Sequence, residues 1–365
     1  MFLIITRNFP PEIGGIQYLM GGLAESLTNH GPVKVFAYEY KDAINYDKKS
    51  SATIERISGI KLFRKFRKAN AVNDFINLNR NIRATFLDHW KSLELIKKEN
   101  LKKTKTFCLI HSKEINHEIG SSINKRIIKC TNNVDFIIAN SNFTKELAIK
   151  IGINPNKIKI IHPGINKPKK IEQSYKNEAK AIYGDSFPKI ITVSRLDKRK
   201  GHDKILMIIK NLKTKFPKIK YVSIGFGDQE NDLIKLSKEL NINENAIFLK
   251  NIKFELKIAL LSESNLFLMP SRIEKRSVEG FGISYIEAGT YGIGSIGGID
   301  GGAADAIKNQ DTGLICDGKD LNSIYESVNL FINDNNFINF GKNAKIFSEN
   351  FYWEKIVKQY LKLIN

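Results

Sequence analysis

Short apolar runs, each closed by a polar or glycine-containing turn, recur along the chain. FLII at residues 2–5 has the length and composition of a buried strand, and the loop TRNFPPEIGGIQ follows it. YLMGGLAESLTNHG then places apolar residues at three- and four-residue spacing and ends on a glycine, which predicts a helix; VKVFAY predicts a second strand. Strand, helix and strand in that order predict parallel pairing through a crossover. The pattern returns in TFCLIHS, VDFIIANS, the helical NFTKELAIKIG and KIKIIHPG. After a polar stretch at 167–186 it restarts with KIITVSR, KIKYVSIGFG, AIFLK and SNLFLMPS, and the chain closes on an amphipathic YWEKIVKQYLKLIN. The restart predicts a second doubly wound domain, with a boundary within 166–186.

A length of 365 residues suits two such domains, and 42% apolar with 26% charged residues suits a folded globular chain. The N-terminal apolar run is too short for a signal peptide, and no window resembles a membrane span. Cys108, Cys130 and Cys316 stand apart, without metal or redox spacing, which predicts a reducing, cytoplasmic setting. The net charge of +20 calls for an anionic partner: nucleic acid, anionic lipid or an anionic small molecule. Residues 1–165 carry 27 Lys and Arg against 14 Asp and Glu, so the first half is the more basic. A nucleic-acid-binding protein is one reading of that charge. No recognition motif accompanies it and the charge is spread, so no specific nucleic-acid partner is expected.

In open parallel sheets, ligands sit beyond the carboxyl ends of the strands. Four features of the second half fall there. RLDKRKGHD, with Arg195 and Lys200, follows ITVS; GFGDQE follows YVSI; the loop to VEGFGISYIEAG follows LFLMPS; and GSIGGIDGGAADAI supplies a glycine-rich turn. Arginine offers planar donors to phosphate, lysine a movable point charge, and a helix N-terminus adds free N–H groups. Each residue alone reads as a solvated charge or an ordinary turn. Together, at successive strand ends, they describe a diphosphate site. No metal-ligand cluster accompanies it, so no metal is expected.

These stretches, with FPPEIGGIQ, ANSNFTKEL, IHPGIN, MPSR and GGIDGGAADAIKNQDTGLI, resemble the family-4 retaining glycosyltransferases, and bacterial mannosyltransferases in particular. The resemblance implies an α/β GT-B architecture of two facing Rossmann-like doubly wound domains, with the nucleotide-sugar cleft between them. Residues 1–170 would form the acceptor-side domain and 171–349 the nucleotide-sugar domain, with 350–365 a helix crossing back to the first. It further implies that Arg195 and Lys200 hold the donor diphosphate, that Glu279 engages the transferred sugar, and that Glu287 engages the ribose. Gly280, Phe281, Gly282 and Ile283 would complete the phosphate cradle, and Gly14 and Gly15 would approach it from the first domain. The base would lie near Asn251 and Ile252. The donor would be GDP-mannose ahead of a UDP-hexose, the acceptor a glycan or lipid-linked sugar, and no cofactor would be required. Lys250, Asn166 and Gly294 depart from the glycine, aspartate and proline common in the family, and Lys250 lies beside the expected base pocket.

In the first half, His111 follows a strand where the family keeps a polar residue near the reacting sugar. Gln17, after the Gly14–Gly15 loop, is a second acceptor-side candidate. KLFRKFRKAN at 61–70 sets Lys61, Arg64, Lys65, Arg67 and Lys68 around Phe63 and Phe66, a composition suited either to a solvated helix face or to an anionic membrane surface. The latter would place the protein at the inner face of the cytoplasmic membrane. A catalytically inactive scaffold, a sugar-nucleotide epimerase and a glycan phosphorylase are further alternatives.

Overall fold

A computed structural model describes residues 1–365, apart from the side chain at 334. The chain forms two compact units: Met1–Asn166 with Phe351–Asn365, and Lys167–Asn350.

In the first unit the strands are β1 (Phe2–Ile5), β2 (Val33–Tyr38), β3 (Thr53–Ile57), β4 (Ala84–Leu87), β5 (Lys105–Ile110), β6 (Phe136–Ala139) and β7 (Ile158–Ile160). They pair in parallel in the order β3-β2-β1-β4-β5-β6-β7. The second unit has β8 (Lys189–Val193), β9 (Lys220–Ile224), β10 (Ala246–Leu249), β11 (Leu266–Met269), β12 (Ser295–Gly298) and β13 (Gly313–Cys316). These are also parallel, in the order β10-β9-β8-β11-β12-β13.

Helices cover both faces of such sheets, so central strands are apolar on both sides. Phe2, Leu3, Ile4 and Ile5 of β1 are all buried, as are Leu266, Phe267, Leu268 and Met269 of β11. The winding direction reverses between β1 and β4 and again between β8 and β11, which opens a crevice at the strand carboxyl ends of each unit. Helix starts are set locally. Ser141, in the ANSNFTKEL stretch, caps the helix Asn142–Lys150 by accepting the Thr144 N–H.

The polar stretch at 167–186 contains a helix, Gln173–Tyr183, whose Ala179 and Tyr183 are buried. Tyr183 is anchored by a 2.7 Å hydrogen bond to Ser264. The glycine-rich GSIGG stretch, expected as a turn, begins as strand β12. The last helix, Trp353–Ile364, buries Trp353, Ile356, Val357 and Tyr360 in the core of the first unit, beside Phe86 and Phe107.

Candidate functional site

In the second unit, β8 runs into Ser194 and Arg195, and a short 3-10 turn Lys198–Lys200 leads to the helix His202–Lys215. β11, the neighbour of β8 across the reversal, leads into Pro270–Arg272. The two loops are laced together: the Arg272 N–H donates to the Arg199 carbonyl at 2.9 Å. The Arg272 guanidinium also takes both Asp203 carboxylate oxygens at 2.9 Å.

That lacing turns Lys200 and Arg199 inward, where both are buried. The Lys200 ammonium and the Arg199 guanidinium meet on one oxygen of Glu279, Arg199 Nη1 at 2.7 Å and Lys200 in a short contact. Burial alone would raise the Glu279 carboxyl, but Lys200 and then Arg199 outweigh it and hold it at about 2. Burial lowers Lys200 against the pull of the same carboxylate. Arg195 points outward, its side chain 61% exposed, and pairs with Asp197 at 3.0 Å. Arg199 Nη2 stands 3.9 Å from the same Asp197 oxygen. Three cations and two carboxylates therefore form one cluster.

Glu279 is fixed from its backbone as well, its carbonyl accepting the Gly302 N–H at 2.8 Å. Three residues on, Gly282 adopts φ 86° and starts the helix Ile283–Thr290. A side chain there would strain the backbone and drive a Cβ to 2.4 Å from the Tyr285 ring. The N-cap residue is a glycine and brings no side chain to the first turn, where the Tyr285 N–H donates to the Gly282 carbonyl at 3.0 Å; a helix N-terminus of this kind favours an anion. Gly280 and Phe281 are buried and Ile283 half-buried.

Glu287 lies one turn into that helix, where its carboxylate pairs with Lys257 at 2.5 Å. At the carboxyl end of β10, Asn251 is exposed with φ 53°, Ile252 is half-buried, and Lys250 pairs with Glu230 at 2.6 Å.

The first unit gathers a second polar group at its own reversal. Asp88, directly after β4, is buried and accepts from Thr6 Oγ1, the Arg7 N–H and Ser92 Oγ at 2.8–2.9 Å. His111 follows β5, its Nε2 3.0 Å from the Asp88 carbonyl oxygen. A carbonyl only accepts, so Nε2 carries a proton, and in the neutral ring Nδ1 keeps the lone pair. His89 has the same tautomer for the opposite reason: its Nδ1 accepts the Lys91 N–H at 2.9 Å. Gln17 is buried in the first turn of the helix Gly15–Thr28, its amide folded over Gly14, whose backbone is extended. A Cβ added at Gly15 would meet open space.

Lys68 is a correction. Expected among the membrane-facing cations, it is buried, donating to the Thr6 carbonyl at 2.8 Å and reaching Ser92 at 3.4 Å. Helical phase explains it: Lys68, Ala69, Val72 and Ile76 share the core face of Lys61–Leu78. Burial pushes its ammonium down to about 8, against the pull of Asp88. Arg67 stays exposed but donates to the Ser58 and Ile60 carbonyls.

Sequence reasoning missed Arg199, Asp197, Asp88, His89 and His202. Asp88 had a usable signal, since ATFLDH repeats the form of FLIITR: an apolar run ending in polar residues. His202 is buried beneath the loop that carries Arg195, with Nε2 3.2 Å from the Arg195 carbonyl and Nδ1 2.8 Å from the Tyr221 hydroxyl. Burial pushes it down to about 4, and burial first of all pushes His89 to about 3. An unfolded histidine, near 6.5, binds its proton first, so the contribution of each to stability is full above pH 6.5. It declines as pH falls through 4 for His202 and 3 for His89. The unfolding midpoint should therefore drop between pH 6.5 and 4, and His202→Gln should make that drop shallower. An unchanged slope in differential scanning calorimetry would rule this out.

Comparisons with known proteins agree across the chain. Residues 175–352 match the family described as Glycosyl transferases group 1, and residues 13–167 match Glycosyltransferase Family 4. The GDP-mannose-dependent alpha-(1-6)-phosphatidylinositol monomannoside mannosyltransferase of Mycolicibacterium smegmatis is 24% identical, covering 89% of this chain and 87% of its own. Its monoacylated-acceptor counterpart from Corynebacterium glutamicum is 25% identical over 91% of this chain and 88% of its own. The structure of Anabaena Alr3699/HepE in complex with UDP-glucose superposes with a TM-score of 0.81 over 100% of this chain and 99% of that one, at 15% identity. That likeness fixes the fold as GT-B.

Proposed function

The chain belongs to the family-4 glycosyltransferases of the GT-B fold, and from that premise we propose that it moves a hexose from a nucleoside-diphosphate sugar to a glycan or lipid-linked acceptor, with retention at the anomeric carbon. The observation that carries the reading is the gathering of Arg195, Arg199 and Lys200 at the β8–β11 reversal, with Glu279 joined to two of them. The uncapped helix at Gly282 begins three residues after that carboxylate. GDP-mannose is the first donor to test, because the relatives matching most of the chain are named for it. UDP-hexoses come next, after the ligand of the Anabaena structure.

In this reading Arg195, Lys200 and the helix N-terminus at Ile283 take the diphosphate. Phe281 and Gly282 shape the cradle, Glu279 orients the sugar hydroxyls, and Glu287, released by Lys257, receives the ribose. Asn251 and Ile252 border the base. The anomeric C–O bond to phosphate breaks as the charge on the leaving nucleoside diphosphate is stabilised by fixed cations. The acceptor oxygen bonds to the same face of that carbon, and its proton passes to the departing phosphate oxygen. Side-chain cations do the work of a metal here and no cofactor enters, so transfer should proceed in EDTA. His111, with its Nδ1 lone pair, is the acceptor-side candidate.

The test is transfer from radiolabelled GDP-mannose, UDP-glucose, UDP-galactose and UDP-N-acetylglucosamine in EDTA, to membrane-lipid extracts and to free glycans. One donor should label product. Turnover that strictly needs a divalent ion would overturn the metal-free mechanism, and no labelling from any donor would overturn the transferase reading at this site.

The proposed place of work is the surface of the cytoplasmic membrane. No helix among the described residues is long and apolar enough to cross a membrane. The start of Lys61–Leu78 exposes Leu62, Phe63 and Phe66, with Ile60 just before them and Lys61, Arg64 and Lys65 interleaved. Apolar side chains flanked by cations suit an anionic lipid interface. The protein should sediment with phosphatidylglycerol vesicles and not with phosphatidylcholine, and Phe63→Ser with Lys65→Glu should release it. Absence from both pellets would end the membrane proposal.

A further inference from the structure

Both cations assigned to the donor diphosphate are already paired with carboxylates of the same unit: Lys200 with Glu279, and Arg195 with Asp197. Arg199 lies between the pairs, on Glu279 at 2.7 Å and 3.9 Å from Asp197. Among the described residues, two atoms of this cluster are buried without a hydrogen-bond partner, Arg199 Nε and Asp197 Oδ1. Unpaired buried polar atoms are costly, so they mark bonding capacity that another state of the cluster would use.

Resting on the reading that Arg195 and Lys200 take the donor diphosphate, we infer that Glu279 and Asp197 are internal stand-ins for it, and that Arg199 is the positioning residue that keeps both carboxylates when the donor displaces them. The charges fit an exchange. Without donor, three cations face two carboxylates. When a diphosphate takes Lys200 and Arg195, Glu279 would be a buried anion with nothing beside it unless Arg199 remained. Arg199 can remain: its Nη1 already holds Glu279, its Nη2 faces Asp197 and its Nε is unused. Lysine has a single charged head and could not serve both carboxylates from one fixed plane. The freed Glu279 carboxylate is then an acceptor for sugar hydroxyls, still anchored by Arg199. Donor binding and preparation of the sugar-binding carboxylate thus become one event.

The experiment is calorimetric titration of the full chain with GDP and with UDP, beside steady-state transfer, for wild type, Lys200→Ala, Glu279→Gln, Arg199→Met and Arg199→Lys. Glu279→Gln should bind the bare nucleotide about tenfold more tightly, since the diphosphate no longer displaces a carboxylate, about 1.4 kcal/mol, while losing transfer. Arg199→Met should lower kcat with little change in KM for the donor, and Arg199→Lys should restore part of kcat. Lys200→Ala should weaken the nucleotide at least about tenfold. If Lys200→Ala weakens binding but Glu279→Gln does not tighten it, the stand-in inference falls and the diphosphate reading survives. If Lys200→Ala leaves binding unchanged, the diphosphate reading itself falls. Should Arg199→Met not fold, Arg199→Lys carries the test, and wild-type kcat in that variant overturns the role given to Arg199.

Discussion

Replacing Lys200 with methionine should lower kcat/KM for transfer by about 10²–10³-fold and leave the protein folded. The two halves of that expectation come from the same contact. A fixed cation at a leaving diphosphate acts mainly in the transition state, where charge on the departing oxygen is greatest. Stability should hold because Glu279 does not lose its last partner: the Arg199 guanidinium stays 2.7 Å away. The methionine stem fills much of the space of the lysine stem, beside Met269. Removing both cations is another matter. The Arg199→Met, Lys200→Met double variant strands a buried carboxylate, and losing the partners of a buried charge costs about 3–5 kcal/mol. The two substitutions should therefore be strongly non-additive in stability. Denaturant unfolding of the four members of the cycle measures this. Equal and additive losses would mean that Glu279 reaches water more readily than its 13% side-chain exposure implies.

This cluster also shows how far the sequence could be read. Lys200 and Glu279 are 79 residues apart; strand-end placement points to Lys200, the family resemblance to Glu279, and the structure joins them in an ion pair. Arg199 is not separable by sequence from Lys198 beside it, because which of these side chains turns inward depends on the 3-10 turn and on the grip of Arg272 on the Arg199 carbonyl. Lys68 failed for a related reason: charge suggested a surface, and only helical phase against Val72 and Ile76 places it inside. Among the strands, FLII and LFLM were legible because burial on both faces leaves an unbroken apolar run. TIERI of β3 was not, being a half-exposed edge strand with charged residues. SIGG of β12 is masked by its glycines, and ATFL of β4, opening on Ala and Thr rather than an unbroken run of large apolar residues, is masked too and hides Asp88 and His89 with it. The sequence thus carries the layers of the fold, while the polar partners of the site depend on turns that only packing decides.

A single substitution with a comparably large loss of stability should be found in the first unit, at Trp353. Its indole is buried against two glycines of the first unit: a Cβ at Gly22 would lie 2.3 Å from the indole Nε1, and one at Gly164 would lie 2.4 Å from Cδ2. The backbone is bound at the same point, with the Ile165 N–H donating to the Phe351 carbonyl at 2.8 Å and the Trp353 N–H to the Ile165 carbonyl at 3.0 Å. Truncating a buried tryptophan costs about 3–5 kcal/mol, a large share of the roughly 5–15 kcal/mol that stabilises an ordinary protein. Trp353→Ala should therefore shift urea unfolding of the full chain by that amount. Trp353→Phe should cost less, since the buried Nε1 has no hydrogen-bond partner among the described residues to forfeit. Gly22→Ala should imitate Trp353→Ala by pushing the ring from its slot, whereas Gly15→Ala, with open space around the new Cβ, should not. A loss under 1 kcal/mol in Trp353→Ala would show that the last helix is an accessory to the first unit. The expected loss would show that these residues, the last in sequence, complete a core that begins with the first strand.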